Sequence, residues 1–238
     1  MALMECRDVC LGYEGKKILE DINFKLSGGE YLFIVGENGT GKSTLIKGLL
    51  RLKKPMSGSI SLGDGLKANE IGYLPQQTVT QKDFPASVYE VVLSGRLNSL
   101  GFRPFYGRKD KQETMDKLRL MGIEHLKNKC YQDLSGGQQQ RVLLARAMCA
   151  TKKMILLDEP VAGLDPIVTI ELYELVAKIN KELGITVIMV SHDMEAMAKY
   201  ATHVLHLSQK QLFFGSRDEY MNSEEGVFFT TGEGERRQ

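Results

Sequence analysis

The sequence predicts an α/β protein: a largely parallel sheet with helices on its faces and an all-helical lobe let into its middle. Three observations carry that prediction. Apolar runs of strand length at 31–35, 154–157 and 186–190 are separated by stretches of helical spacing, the alternation expected of a parallel sheet. From about 84 to 149 the spacing is helical throughout, with no strand pattern between. Past that point strands alternate with helices again.

Taken in order, Ile22, Phe24 and Leu26 point one way along a strand, and Gly28 with Gly29 makes a turn. The unbroken apolar run 31–35 is a strand buried on both faces. It feeds a glycine-rich loop and then an amphipathic helix carrying Leu45, Ile46, Leu49 and Leu50. Pro55, Ser57 and Gly58 end that unit, and Ile60 and Leu62 mark a short strand before another at 71–74. The middle lobe holds helices over 87–97, 109–121 and 136–148. Then come a strand at 154–157, a helix over 166–183, a strand at 186–190, a helix over 194–201 and a strand at 203–207. The polar end, 230–238, is expected to fray. The whole reads as one domain over 1–238, with a catalytic core from 1–82 and 150–238 and a helical subdomain at 83–149.

Composition narrows the function. The chain has 238 residues, 42% hydrophobic and 26% charged, with 31 basic and 30 acidic side chains for a net charge of +1. That balance gives no basic excess for nucleic acid and no polybasic run for anionic lipid. Every apolar stretch falls far short of the roughly 20 residues that span a bilayer, and the opening MALMECRDVC lacks the apolar core of a leader. Any membrane role is therefore expected to run through a partner. Cys6, Cys10, Cys130 and Cys149 show no CxxC spacing and read as reduced packing residues. His203 and His206 are three apart in a strand pattern, which puts them on opposite faces and argues against a zinc pair.

Gly36, Glu37, Asn38, Gly39, Thr40, Gly41, Lys42, Ser43 and Thr44 match GxxxxGK[ST], the Walker A pattern. Glycines let the backbone turn tightly and aim successive N–H groups at an anion. The helix that follows adds the positive end of its dipole. Lys42 is expected to reach the β- and γ-phosphates and the Ser43 hydroxyl to ligate magnesium. The position after a buried strand and before a helix is the context that confirms a nucleotide loop.

The strand 154–157 runs into Asp158 and Glu159. A carboxylate at the end of a buried strand lies at the sheet's C-terminal edge, where ligands of such sheets bind. Asp158 is expected to hold magnesium and Glu159 to polarise an attacking water, giving phosphoryl transfer to water. The competing reading makes the pair a cap for the next helix.

Leu134 begins LSGGQ, in which Ser135 reads as an N-cap and Gly136 and Gly137 leave backbone N–H groups bare at a helix start, with Gln138 completing the run. With the phosphate loop, this run and the acid pair in that order, the chain resembles the ATP-binding cassette (ABC) ATPases from residue 1 to about 215. The resemblance implies a P-loop NTPase fold: an ABC-type core with an inserted α-helical subdomain and an N-terminal antiparallel β region. It also implies that two cassettes pair head to tail, LSGGQ of one closing on ATP held by the other.

Further roles follow from the resemblance residue by residue. Tyr13 looks like the aromatic that stacks on adenine. Gln76 resembles the Q-loop glutamine that touches magnesium and the water, with Gln77 the lesser candidate. Asp165, closing Ala162-Gly-Leu-Asp, resembles the D-loop residue at the dimer seam, and His192 the switch histidine that contacts the γ-phosphate. Thr40 stands where serine or alanine is common and Val161 where threonine or serine is; neither change removes a needed group.

A lone compact cassette without a coiled-coil insertion favours transport over repair, chromosome or translation roles. The resemblance implies separate transmembrane permease subunits, a homodimer with ATP at its interface, ATP and Mg2+ as ligands, and an extracytoplasmic solute-binding protein in the same system. The expected place is the cytoplasmic face of the membrane. Residues 84–96 resemble the metal-ion and metal-chelate importers, the zinc/manganese branch most closely. Iron-siderophore or cobalamin import, or export, is the alternative.

Overall fold

The computed structural model describes residues 2–76 and 85–231. Gln77, Phe84 and residues 232–238 of the expected tail lie outside them. In chain order the strands are β1 (Ala2–Tyr13), β2 (Lys16–Ser27), β3 (Tyr31–Val35), β4 (Ser57–Leu62), β5 (Ile71–Leu74), β6 (Met154–Asp158), β7 (Thr186–Val190), β8 (His203–Ser208) and β9 (Lys210–Ser216). The helices are α1 (Lys42–Leu49), α2 (Val88–Ser94), α3 (Arg108–Leu120), α4 (Gly136–Ala150), α5 (Pro166–Leu183), α6 (Met194–Tyr200), α7 (Arg217–Met221) and α8 (Glu224–Thr231). They fall into two compact units, one from 1–68 with 186–238 and one from 69–185.

The first unit is built on a sheet of order β4-β1-β2-β9-β8-β3-β7. β1 runs antiparallel to β2 and to β4, the antiparallel N-terminal region expected. β3 lies parallel between β7 and β8, which is why all five of its residues are buried. In β2 the alternation holds: Ile22, Phe24 and Leu26 face the core and their neighbours do not. β1 escapes that pattern because its register shifts between Cys6 and Val9, where Asp8 takes a left-handed φ of 49°. Leu45, Ile46 and Leu49 anchor α1 on the sheet.

The strand expected at 203–207 is β8, and it continues into structure that no pattern announced: the β8–β9 hairpin, then α7 and α8. Ser216 and Glu219 form a reciprocal capping box that starts α7. The two histidines part company. His203 is half-buried, its ring stacked on Phe214. His206 is buried with Nδ1 3.1 Å from the Tyr220 hydroxyl, and burial pushes its pKa down.

In the second unit β5 and β6 pair in parallel from Ile71↔Met154 to Leu74↔Leu157. The helix expected over 87–97 is shorter. α2 starts from a Ser87–Glu90 capping box and stops at Ser94. At Gly95 a side chain would strike the Arg146 carbonyl and lie 2.9 Å from Cys149 Cβ, so α2 ends where it meets α4. Arg96 then turns its guanidinium to Asp110, Glu113 and the Cys149 carbonyl. Asp110, 1% exposed, also accepts from the Gly107 N–H at 2.9 Å and from Arg103. This buried acid ties the segment between α2 and α3 to the helices. α3 and α4 match the helices expected at 109–121 and 136–148 to within two residues at each end. α5 begins with Asp165 as N-cap and Pro166 at its first turn, and ends on Gly184 at φ 64°.

Candidate functional site

The glycine loop leaves β3 at a place no side chain can occupy. Gly36 has φ 143°, and a Cβ there would collide with the Leu207 carbonyl of β8. Gly39 (φ 81°) and Gly41 (φ 100°) take the other left-handed turns. At Gly41 a Cβ would lie 2.7 Å from Leu19 Cγ. Gly41 is the N-cap of α1 and has no side chain to cap it, and the first turn carries no acid. The positive helix end thus faces the loop with neither a capping side chain nor a first-turn acid of its own. Lys42 is buried and arches back, its Nζ donating to the carbonyls of Gly36 and Glu37 at 2.7 Å each. Thr40 Oγ1 donates to the Glu37 carbonyl at 2.9 Å and closes the turn. Glu37, Asn38, Gly39 and Ser43 form the exposed rim, while Thr44 is buried.

Two more candidates belong to the same unit. His192 is exposed just past β7, which runs parallel to β3 with Ile34 opposite Val190. The histidine and the glycine loop therefore leave the same edge of the sheet. Ser191 accepts from the Asp193 N–H at 3.1 Å, and Asp193 caps α6, fixing the backbone on either side of His192. Tyr13, at the end of β1, is 44% exposed and sits against α1. Lys47 Nζ donates to its hydroxyl at 3.4 Å and Lys53 Nζ lies 3.5 Å from its ring centre. The Lys47 hydrogen bond chiefly holds the Tyr13 pKa below its ordinary value, and the Thr44 side chain adds to the effect.

In the second unit β6 is buried from end to end and delivers Asp158, 7% exposed, at its last position. Burial, with the Asp158 carboxylate adding to it, raises the pKa of Tyr73 on β5 to about 12. Glu159 follows at φ 46°, a left-handed conformation that costs a residue other than glycine energy and redirects its side chain. Gln76 Nε2 donates to Glu159 Oε2 at 2.8 Å. The reason is register: Gln76 and Glu159 each lie two residues beyond the paired Leu74 and Leu157. The cap for the following helix is Asp165, whose carboxylate accepts from the Val168 N–H at 3.1 Å, so Asp158 and Glu159 are spared that duty.

Ser135 caps α4 in a reciprocal box: its hydroxyl accepts from the Gln138 N–H at 3.4 Å, and Gln138 Oε1 accepts from the Ser135 N–H at 3.1 Å. The two polar side chains of the run hold the helix start, and Gly136 and Gly137 present bare backbone. Neither glycine leaves open space for a side chain. A Cβ at Gly136 would touch Leu164 Cδ2 at 3.3 Å, and one at Gly137 would run into Val168 Cγ1. The 162–165 turn and the start of α5 are thereby keyed to the start of α4.

The family model for the ABC transporter matches residues 19–162, from β2 through the acid pair. The chain belongs to that family. It is the ATP-binding, ATP-hydrolysing subunit of an ABC transporter. The zinc uptake system ATP-binding protein ZurA of Listeria monocytogenes is 34% identical over 226 residues, 92% of this chain and 88% of that protein. The manganese transport system ATP-binding protein MntB of Bacillus subtilis is 37% identical over 215 residues, 89% and 86% of the two chains. Among solved structures, a transporter assigned to the metal-chelate type, in an inward-facing conformation, matches with TM-score 0.86 and 28% identity, over 98% of this chain and 90% of that one. An ATP-binding cassette solved as a dimer in a post-hydrolysis state with ADP and phosphate matches with TM-score 0.74 and 26% identity, over 90% and 98%.

Subunits of this ABC family work as dimers with permease subunits, and no helix among the described residues of this one is long and apolar enough to cross a membrane. The first unit gathers the phosphate loop, Tyr13 and His192; the second gathers Asp158, Glu159, Gln76, Asp165 and the 135–138 helix start. Sequence reasoning missed the two lysines on Tyr13 and the Gln76–Glu159 bond, since both depend on tertiary placement. The Ser135–Gln138 box had a visible signal, a serine three residues before a glutamine.

Proposed function

We propose that this subunit binds Mg-ATP and drives import of a divalent metal ion, zinc foremost, through separate permease chains. The cargo half rests on one observation: its zinc-uptake and manganese-transport relatives align with about nine-tenths of the chain. In this reading Gly36, Glu37, Asn38, Gly39, Thr40, Gly41 and Thr44 cradle the phosphates by their backbone and Tyr13 carries the adenine. Lys42 releases its two carbonyl partners to hold the β- and γ-phosphates. Ser43, Asp158 and Gln76 offer a hydroxyl, a carboxylate and an amide oxygen, hard donors that suit magnesium better than a soft metal. Magnesium there neutralises charge on the transferring phosphoryl group.

Glu159 orients the attacking water and accepts its proton, and His192 contacts the γ-phosphate. Gln76, bonded to Glu159, links the base to the Q-loop. Ser135, Gly136, Gly137 and Gln138 of a second copy close over the ATP, with Asp165 at the seam of the homodimer. The helical subdomain at 83–149 sits within a core of 1–82 and 150–238. Residues 84–96 meet the permease at the cytoplasmic face, and an extracytoplasmic solute-binding protein delivers the metal.

The test is uptake of radioactive zinc and manganese in a strain lacking this gene. Wild-type chain should restore uptake and Glu159→Gln should not. Unchanged metal uptake in the deletion strain, with loss of ferric-siderophore or cobalamin uptake, would overturn the metal-ion reading in favour of the metal-chelate branch that the inward-facing relative suggests.

A further inference from the structure

Tyr13 is held from two sides by α1 and by the turn that follows it. The turn is fixed in its own right. Arg51 takes φ 58°, and the N–H groups of Leu52 and Lys53 both donate to the Lys47 carbonyl, at 2.9 and 3.1 Å. Met56 N–H donates to the Cys10 carbonyl on β1 at 2.8 Å. Lys53 is thus tied at its backbone to α1, and three residues on Met56 ties the same segment to the strand that carries Tyr13. Its ammonium lies 3.5 Å from the ring centre, within cation–π range. With that face covered, Tyr13 is still 44% exposed, so ring surface remains for a second flat group. Lys47 pins the hydroxyl end.

From this geometry we propose that Lys53 is a nucleotide-positioning residue: it covers one face of Tyr13 and holds the ring so that the purine of ATP stacks on the other. The inference rests on Tyr13 being the base platform. Lys53 acts on the base through the tyrosine ring. A lysine that merely attracted anions would act on the phosphates, and the two roles separate by ligand.

The experiment is calorimetric titration of the full chain with ADP and, separately, with inorganic tripolyphosphate, both with magnesium. Lys53→Met should weaken ADP about two- to fivefold, the size of a partly exposed cation–π contact, and leave tripolyphosphate unchanged. Lys53→Arg, which keeps a cation over the ring, should restore ADP binding. Tyr13→Ala should weaken ADP more than Lys53→Met does. Equal weakening of both ligands by Lys53→Met would make the lysine a phosphate attractor and overturn the proposal. So would tighter ADP binding, since that means the lysine competes with the base. If Tyr13→Ala leaves ADP binding intact, the platform reading itself fails; if Tyr13→Ala weakens it and Lys53→Met does not, only the role of Lys53 fails.

Discussion

Replacing Gly137 with alanine tests how the start of α4 is held. A Cβ at position 137 falls 3.5 Å from Cβ and Cγ2 of Val168 and closer still to its Cγ1. Val168 is β-branched, with few rotamers to retreat into, and its N–H is already bonded to the Asp165 cap. The added methyl must therefore move the first turn of α5 or that of α4. Overpacking of this kind costs about 1–3 kcal/mol. Alanine returns at most about 1 kcal/mol over glycine in a helix interior, and less at the second helical position. The net expectation is a loss of about 0.5–2 kcal/mol. Adding Val168→Ala removes the offending methyl and leaves ordinary contacts, so the two changes should couple favourably by about 1–3 kcal/mol in a double-mutant cycle. Urea midpoints of the four proteins measure this. A Gly137→Ala chain as stable as wild type, with strictly additive behaviour in the double variant, would mean that Val168 does not hold the helix start. ATPase activity then separates two causes of lost function. Recovery in the double variant assigns the defect to a displaced helix, whereas persistent loss assigns it to the methyl standing before the bare N–H groups.

Glu159→Gln keeps the shape and the Gln76 contact but removes the proposed base; hydrolysis should fall at least about 100-fold, and the chain should elute as an ATP-bound dimer on a sizing column. Gly36→Ala forces a side chain against the Leu207 carbonyl at φ 143°, so ATP affinity should drop about tenfold or more by titration. Asp110 gives a pH signature. Burial raises its pKa, but the Gly107 N–H and the Arg96 and Arg103 guanidiniums outweigh burial and hold it below the ordinary 3.8. A lowered folded-state value means the stabilisation is present above the unfolded value and is lost as pH falls through the folded one. Asp110→Ala should lower stability by about 3 kcal/mol at neutral pH, and the difference from wild type should shrink in acid melts below about pH 4.

The parts of the site visible in the sequence are those whose physics is local. Gly36, Gly39 and Gly41 stand where the backbone must turn left-handed, and β3, β6 up to Leu157 and β7 from Val187 are unbroken apolar runs because both their faces are covered. β1 is less legible because a bulge at Asp8 breaks the alternation that marks a half-buried strand. Helical spacing carries the expected α2 past its true end because nothing near Gly95 in sequence says that α4 crosses there.

The Gln76–Glu159 bond is the clearest case of what local pattern withholds. Eighty-three residues separate the two side chains, and only the parallel register of β5 on β6 makes them neighbours. That register sets the two residues level, and Glu159 meets the glutamine from a left-handed φ of 46°. The hydrogen bond thus places the carboxylate by long-range pairing of strands, beyond the reach of any spacing rule.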